Sequence, residues 1–488
     1  MLFRLRQAIC ESGVSSSRHA GAKTGNFARP AAVVVWQARC GRCRPARRHS
    51  MKRMGLLLLC WLLSVPAAAR DYIKIEDPGF RPYPLAVPAC KDLTGQNSGP
   101  QAALCTEVLR NDLEIAGVFK ILDPRSYIAD PRKEGLSGAS INFADWSNVG
   151  AAGLVKVGIA KVGEDVKLEG HLFDVASGQD LVPKKPMTLS GPEKKLRYLV
   201  HALADAIVEY YTGTRSIFFT RVVFAKRLGS EAKSICVMDF DGADERCVVQ
   251  NGAINLLPSW SASGDGIYYS SYLHGGPHLY LLDLASGQIS AISRETGLNT
   301  GAAPSPDGKR VAATLSRDEN SEIYLMNPDG SDKRRLTRDW GADTSPSWSP
   351  DGKRIAFVSD RAGSPQIYVM NADGSGVRRL TFQGNYNTTP SWSPRGDWIL
   401  FTARDERRVF DIFKVNPDSG EIVRLTQDQG DNEQPSFSPD GRHVVFSSTR
   451  SGESKLYLMN ADGTNQRLVS RGKGEYSTPR FSPWFEMR

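Results

Sequence analysis

The chain has 488 residues, 40% of them hydrophobic and 24% charged, which is too long for one ordinary domain and excludes collagen, extended disorder and a polytopic membrane protein. The formal net charge of +9 is no sign of nucleic-acid binding, because residues 1–53 hold twelve of the 62 Lys/Arg and only Glu11 of the 53 acids. The other 50 basic and 52 acidic side chains leave the body of the chain at −2, with no global attraction for a phosphate backbone.

In chain order, residues 1–50 are rich in Arg, Ala and Ser and nearly free of acids. They read as an upstream extension without a function, in preference to a mitochondrial transit peptide, because a complete export signal starts after them. Met51-Lys-Arg-Met54 is basic, Gly55–Val65 is apolar and too short to span a bilayer, and Ala67-Ala-Ala69 supplies small residues before a cut at Arg70. Residues 51–69 are thus expected to be a secretory signal peptide, with Met1, Met51 and Met54 all open as the start. Cys40-Gly-Arg-Cys43 in the extension is too weak a pattern to indicate a metal site.

Residues 70–213 are expected to form an α/β domain. Tyr72–Glu76 alternates as a strand does, and Pro100–Ala116 places Leu104, Val108, Leu109 and Leu113 on one helical face. Leu154–Val162 and Val166–Val175 read as a hairpin, and Leu196, Leu199, Leu203, Ile207 and Tyr211 as the apolar stripe of a helix over Glu193–Tyr211.

Residues 214–488 carry an internal repeat. Pro346-Ser-Trp-Ser-Pro-Asp-Gly-Lys353 recurs at Pro390 and Pro435 and, degraded, at Pro258, Ala302 and Pro479, each start 44 or 45 residues after the last. A second block, Ile323-Tyr-Leu-Met-Asn-Pro-Asp-Gly-Ser331 followed by Arg335-Leu-Thr337, keeps the same period. Within one unit, Ser347–Ser349 is a strand stopped by Pro350, Asp351-Gly352 turns, and Arg354–Ser359, Gln366–Met370 and Val377–Thr381 supply three more strands. Four antiparallel strands per unit describe a propeller blade. The last unit has only a first strand, at Pro479–Pro483, and the first unit lacks one, beginning with Phe219–Lys226, Ser234–Asp239 and Arg246–Val249. The expected fold is therefore two-domain: an N-terminal α/β domain followed by an all-β six-bladed propeller, closed by pairing of its first three strands with the C-terminal strand.

Four cysteines remain after residue 69. Cys236 and Cys247 flank a turn and Cys90 and Cys105 lie close in sequence, so two disulfides or four buried thiols are both open. No G-x-S-x-G, H-E-x-x-H or phosphate-loop motif occurs. His274-Gly-Gly276 reads as a turn, and Asp239-Phe-Asp241-Gly-Ala-Asp244 as a hairpin connection, since the downstream Glu and flanking helices of a calcium loop are missing. No enzyme, cofactor or metal site is expected. Chemistry is expected instead where the repeats differ: at Asn255-Leu-Leu257, Asn299-Thr-Gly301, Asp343-Thr-Ser345, Asn387-Thr-Thr389, Asn432-Glu-Gln434 and Tyr476-Ser-Thr478, read as loops converging on one mouth of the channel.

From Tyr72 to Trp484 the chain resembles the TolB family of the Tol-Pal system. The resemblance rests on Asn111-Asp-Leu113 with Gly117-Val-Phe119, Asp123-Pro124, the stretch from His201 to Thr212-Gly213, Phe219-Thr-Arg-Val222, the six repeats and the terminal Phe481-Ser-Pro-Trp484. It implies a non-catalytic periplasmic adaptor, monomeric and without a transmembrane segment in the processed chain, supporting outer-membrane integrity and constriction at division. The implied partners are Pal, a peptidoglycan-associated lipoprotein, and TolA, with other outer-membrane lipoproteins or porins in addition and no nucleic acid. Carried onto this chain, the Pal-facing positions are Leu256, Leu298, Thr344, Ser345, Thr388, Asn432 and Glu433, and the TolA-binding strand is Tyr72, Ile73, Lys74, Ile75 and Glu76. Leu298 stands where members of the family offer a histidine and Ser345 where they offer a carboxylate, so both contacts differ here. The alternatives are an exported propeller that binds glycan or another protein, and a propeller hydrolase.

Overall fold

The computed structural model describes residues 72–73, 80–94, 99–130, 133–181, 187–229, 231–404 and 406–486. The expected extension, signal peptide and cleavage site lie outside these residues, as do Lys74, Ile75 and Glu76. Among the described residues no helix is long and apolar enough to cross a membrane.

The N-terminal domain is a mixed sheet under two helices. Its elements are β1 (Tyr83–Ala86), β2 (Lys91–Asp92), α1 (Gly99–Ile115), β3 (Phe119–Ile121), α2 (Phe143–Asn148), β4 (Gly153–Val162), β5 (Asp165–Asp174), β6 (Met187–Pro192) and α3 (Leu196–Thr212). The strand order is β3-β1-β4-β5-β6, with β2 on β4. The expected hairpin is β4–β5, and both expected helices form. α3 buries Leu196, Leu199, Val200, Leu203 and Ile207 along one stripe and ends at Gly213, whose φ of 68° is the left-handed stop that a Cβ disfavours. The expected strand at Tyr72 does not form in its described part: Tyr72 and Ile73 lie in no strand, and the Ile73 N–H donates to the Tyr211 carbonyl at the end of α3 (2.8 Å). Packing against a helix terminus has replaced sheet pairing there.

Both cysteine pairs are disulfides, Cys90–Cys105 fastening the segment before β2 to α1 and Cys236–Cys247 joining two adjacent propeller strands.

Six four-stranded sheets follow. Blades 1 to 5 start with the inner strands Asn255–Trp260, Asn299–Pro304, Asp343–Trp348, Asn387–Trp392 and Asn432–Phe437. Blade 6 is built from both ends of the domain: Glu475–Phe481 is its inner strand and pairs antiparallel with Arg221–Arg227, which continues to Lys233–Asp239 and Arg246–Val249. The ring is closed as the half-units at the two ends require. Two sequence readings need correction. The inner strand starts at Asp343 rather than Ser347 and runs through Pro346, which sits inside a bulge. The fourth strand of that blade is only Arg378–Arg379.

The repeated motifs hold one blade to the next. The Trp348 indole donates to the Ala303 carbonyl of the preceding inner strand (2.9 Å), and the Trp260 indole to the Arg480 carbonyl (3.1 Å). The glycine of the second block does more than turn the chain. At Gly330, with φ 85°, a Cβ would stand 2.0 Å from the Ile292 carbonyl oxygen of the preceding blade, so only glycine permits that approach.

The N-terminal domain sits at the end of the propeller that carries the turns between first and second and between third and fourth strands. His443 Nε2 meets the Ile115 carbonyl (2.7 Å), Asn465 donates to the Glu114 carbonyl (3.2 Å), and Arg197 pairs with Asp241. The C-terminal tail reaches back as well, with Trp484 Nε1 donating to the Ser216 carbonyl (2.7 Å). Beside this junction, His201 Nδ1 and Asp112 Oδ2 are 2.7 Å apart and buried. Burial pushes Asp112 up, to about 6, against the lowering influence of His201. Burial also acts to lower His201, but the charge and hydrogen bond of Asp112 outweigh it and hold the imidazole above its ordinary value. A histidine whose pKa is raised on folding stabilises fully below its unfolded value and loses that contribution as the pH climbs through the folded value. The raised Asp112 has the same sign at lower pH, from about 4 to 6. We therefore expect melting temperature to fall as pH is raised from 6 to 9, and the His201→Gln, Asp112→Asn double variant to lose that component; an unchanged slope in calorimetric scans would refute it.

Candidate functional site

Each connection from the outer strand of one blade to the inner strand of the next crosses the face of the propeller opposite the N-terminal domain. That mouth is open. The first residue of five inner strands is Asn255, Asn299, Asp343, Asn387 or Asn432, and all five are buried. Their side chains fasten the mouth from within. Asn255 Nδ2 donates to the Lys233 carbonyl (2.8 Å), Asn299 Oδ1 accepts from Ser293 Oγ (2.6 Å), Asp343 takes Arg361 (2.7 Å) and Asn387 donates to Gln366 (2.8 Å). Asn432 donates to Asp411 Oδ1 (3.0 Å) and accepts from Arg450 (2.7 Å).

These contacts explain the Arg-Leu-Thr block, which the sequence shows only as a repeat. Thr426 Oγ1 donates to Asp411 Oδ1 (2.7 Å) while accepting from the Ile412 N–H (2.9 Å), and Arg424 pairs with Asp411. Thr337 with Glu322 and Thr381 with Gln366 repeat the arrangement. A polar residue just before the apolar third strand was the readable signal for this network. Burial, partly offset by Ser359 and Arg361, pushes the Asp343 carboxyl up.

Two residues further on, every inner strand bulges. Leu257, Ser345, Thr389, Gln434 and Thr478 have φ between 50° and 58°, and Gly301 has 64°. In blade 3 the register skips from Thr344↔Val358 to Ser347↔Ala356, two residues against one, as in a β-bulge. The left-handed conformation costs a non-glycine residue on the order of 1–2 kcal/mol, and it is kept on five of six strands. The candidate contact segments are therefore the bulged upper ends of strands, not loops, a stiffer mounting than the sequence indicates.

The bulge ring places Leu256, Thr344, Ser345, Thr388 and Glu433 partly exposed at the mouth, with Leu298 in the connection beside them. Burial, then the charge of Asp431, raises the pKa of Glu433. Asn432 is the exception among the expected contact residues: it is 0% exposed and its amide is engaged inside the fold, so it positions the mouth and does not present a surface. The sequence reading missed the apolar rim. Trp340 is 76% and Phe382 71% exposed, both in connections that reach the mouth, and Tyr386, Leu298, Tyr272, Leu273 and Leu228 are exposed on the same face. Aromatics in connections that need no core residue were the available signal. Asn320 Nδ2 holds the Trp340 connection by donating to the Asp339, Trp340 and Gly341 carbonyls (3.1, 3.1 and 2.7 Å). An exposed apolar rim around a polar centre is a surface suited to docking a protein. Among the described residues no group of three His, Cys, Asp or Glu is arranged to hold a metal ion.

Asn432→Ala is expected to lower the unfolding free energy by about 1–3 kcal/mol, because Asp411 and Arg450 lose a buried partner, whereas Thr344→Ala should change it by less than about 0.5 kcal/mol. Urea denaturation of the two variants checks the contrast; equal effects would contradict the distinction between a positioning and a presenting residue.

Two protein-family descriptions match the chain: TolB beta propeller domain over residues 208–485 and TolB amino-terminal domain over residues 71–181. The Tol-Pal system protein TolB of Anaeromyxobacter dehalogenans (strain 2CP-C) is 44% identical over 272 residues, 56% of this chain and 61% of that protein. Its counterpart in Myxococcus xanthus is 47% identical over 230 residues, 46% of this chain and 51% of that protein. The chain thus spans between half and two thirds of the length of the curated relatives it matches. The crystal structure of TolB from Acinetobacter baumannii superimposes with a TM-score of 0.71 at 29% identity, covering 82% of this chain and 96% of that one. With both domains matched in order and the propeller match alone spanning more than half of its residues, the chain belongs to the TolB family.

Proposed function

We propose that this chain is a periplasmic adaptor of a Tol-Pal system, without catalytic activity, that docks a Pal-like peptidoglycan-associated lipoprotein on the open mouth of the propeller. The observation that carries the reading is the mouth itself: a rigid ring of bulged strand ends, rimmed by exposed Trp340 and Phe382, on the face the N-terminal domain leaves free. Membership of the TolB family supports a Pal-like partner. Leu256, Leu298, Thr344, Ser345, Thr388 and Glu433 make the contacts, with Asn432 holding the ring from inside. Leu298 extends the apolar rim. Large aromatics of this kind dominate the energetics of protein interfaces, each costing about 2 kcal/mol or more on truncation when central.

In the same reading, Tyr72, Ile73, Lys74, Ile75 and Glu76 bind TolA, and the protein acts as a monomer in maintaining the outer membrane and in envelope constriction at division. Other outer-membrane lipoproteins and porins are further candidates for the same mouth. Strand addition to a partner sheet suits the alternation of Ile73 and Ile75. The Ile73 N–H bond to the Tyr211 carbonyl must be released for it, so TolA binding competes with docking of this segment on α3.

Calorimetric titration with the soluble domain of the co-occurring Pal-like lipoprotein tests the first part. One-to-one binding is expected, weakened at least tenfold by Phe382→Ala with Trp340→Ala and abolished by Thr344→Arg with Thr388→Arg, all with unchanged melting. Absence of binding by the unmodified protein would remove the adaptor reading. Deleting residues 70–77 is expected to weaken TolA binding while leaving Pal binding and melting intact; undiminished TolA affinity would be evidence against the segment's role.

A further inference from the structure

The channel holds a cavity of about 370 Å³ lined by bulge residues and by residues of the tier beneath them. In the tier below the bulge, five inner strands place a small side chain: Ser259, Ala303, Ser347, Ser391 and Ser436. The closing strand places Arg480 there. Its Nη1 donates to the Pro435 and Pro479 carbonyls (3.3 and 3.0 Å). No Asp or Glu lines the cavity, and no carboxylate pairs with Arg480 among the described residues. Burial alone acts on its titration, lowering it to about 10, which leaves the guanidinium charged at neutral pH.

Two wall hydroxyls are open donors, while Ser259 Oγ already donates to the Ala302 carbonyl (2.7 Å). Ser347 Oγ accepts from the Trp392 N–H (3.0 Å) and Ser391 Oγ from the Phe437 N–H (3.4 Å), so both hydroxyl protons are available to another acceptor. Thr478 Oγ1, two residues from Arg480, is buried without a partner. Prolines, tryptophans, Leu257, Phe481 and further small or hydroxyl side chains complete the wall. A charge enclosed by apolar and neutral walls is unfavourable unless a counter-charge accompanies it. The chain supplies none at this place.

We propose that the propeller channel binds one small oxyanion, held by the Arg480 guanidinium together with channel hydroxyls. The Arg fork matches the paired oxygens of a carboxylate, sulfate or phosphate, and the cavity admits a small ion of this class. The site lies beneath the docking mouth and does not depend on the docking reading. It is a property of the closing strand, since the other five blades carry serine or alanine in that tier.

The test is thermal unfolding and calorimetric titration of the full chain with sodium sulfate, inorganic phosphate and sodium acetate. It is run beside Arg480→Ser, which restores the residue most other blades carry, and Arg480→Lys, which keeps the charge but loses the fork. Sulfate and phosphate stabilise proteins generally by exclusion from the surface, so the readout is the difference between wild type and variant at equal salt. A saturable one-to-one response in the wild type, at least tenfold weaker in Arg480→Ser and intermediate in Arg480→Lys, is expected. In buffer poor in these ions Arg480→Ser should melt no lower than the wild type, because it removes an uncompensated charge. Response to sulfate and phosphate alone identifies a tetrahedral oxyanion; response to acetate as well identifies a carboxylate. Equal responses in wild type and Arg480→Ser, or no saturable response in the wild type, overturn the proposal. If Arg480→Ser fails to fold, a Arg480→Lys protein that binds as tightly as the wild type overturns it too.

Discussion

The pairing of Glu475–Phe481 with Arg221–Arg227 is the constraint on which the propeller depends. Left unclosed, six sheets around a channel would expose the flank of a first and a last blade. Closure is reinforced where it occurs. Arg227 meets Glu475 across the two strands, and the Tyr476 hydroxyl donates to Glu245 (2.8 Å), which also takes Lys226. The same segment then carries Trp484 and Phe485 back to Ser216 and Phe219 (2.7 and 2.9 Å), so the act of closing the ring also ties it to the segment that leads from α3 into the propeller. Joining strands so far apart in sequence carries a larger loop-closure cost than the hairpins within each blade.

Within the closed ring, the interior and the mouth divide the work. Glycine at the second turn of a blade lets backbone approach backbone, tryptophan donates across to the preceding inner strand, and in three blades a buried threonine bonded to Glu322, Gln366 or Asp411 fastens the third strand to the connection into the next blade. These interactions leave the mouth residues beyond the buried Asn/Asp free to differ from blade to blade. A rigid support with variable ends is the arrangement in which binding surfaces are commonly found. The bulge ring stiffens those ends further, at a conformational cost that five non-glycine residues bear. The channel below is lined by the same repeated strands, and there a single departure, Arg480, changes its electrostatic character.

How much of this was legible follows from the range of the interactions. The period near 44 residues, the hairpin turns and the apolar stripes of α1 and α3 are local patterns, and each formed as the residues indicate. The half-units at the two ends predicted closure because a missing strand at one end equalled the surplus strand at the other. That the differing segments meet on one face of the ring follows from their common phase in the repeat. The inner construction of that face was not legible, because a left-handed residue such as Thr389 has no local signature and is held by the neighbouring ladder. Asn432 was placed among the contact residues by the family resemblance; only the position of Asp411 and Arg450 on neighbouring strands shows that its amide is buried. The alternation at Tyr72 suggested a strand, but an alternating pattern forms one only where a partner edge is available, and Ile73 met the end of α3 instead.

The sequence by itself determined the class of fold, the number of blades, the way the ring closes and the resemblance to the TolB family, since these rest on repeated short-range patterns that every copy restates. The tertiary structure decided which of two open readings of the cysteines held, which mouth residues face outward, where the N-terminal domain sits, and that the Arg480 guanidinium stands in the channel without a carboxylate beside it. Each of these depends on residues brought together from distant parts of the chain, and burial and charge pairing are properties of that meeting, not of either residue alone.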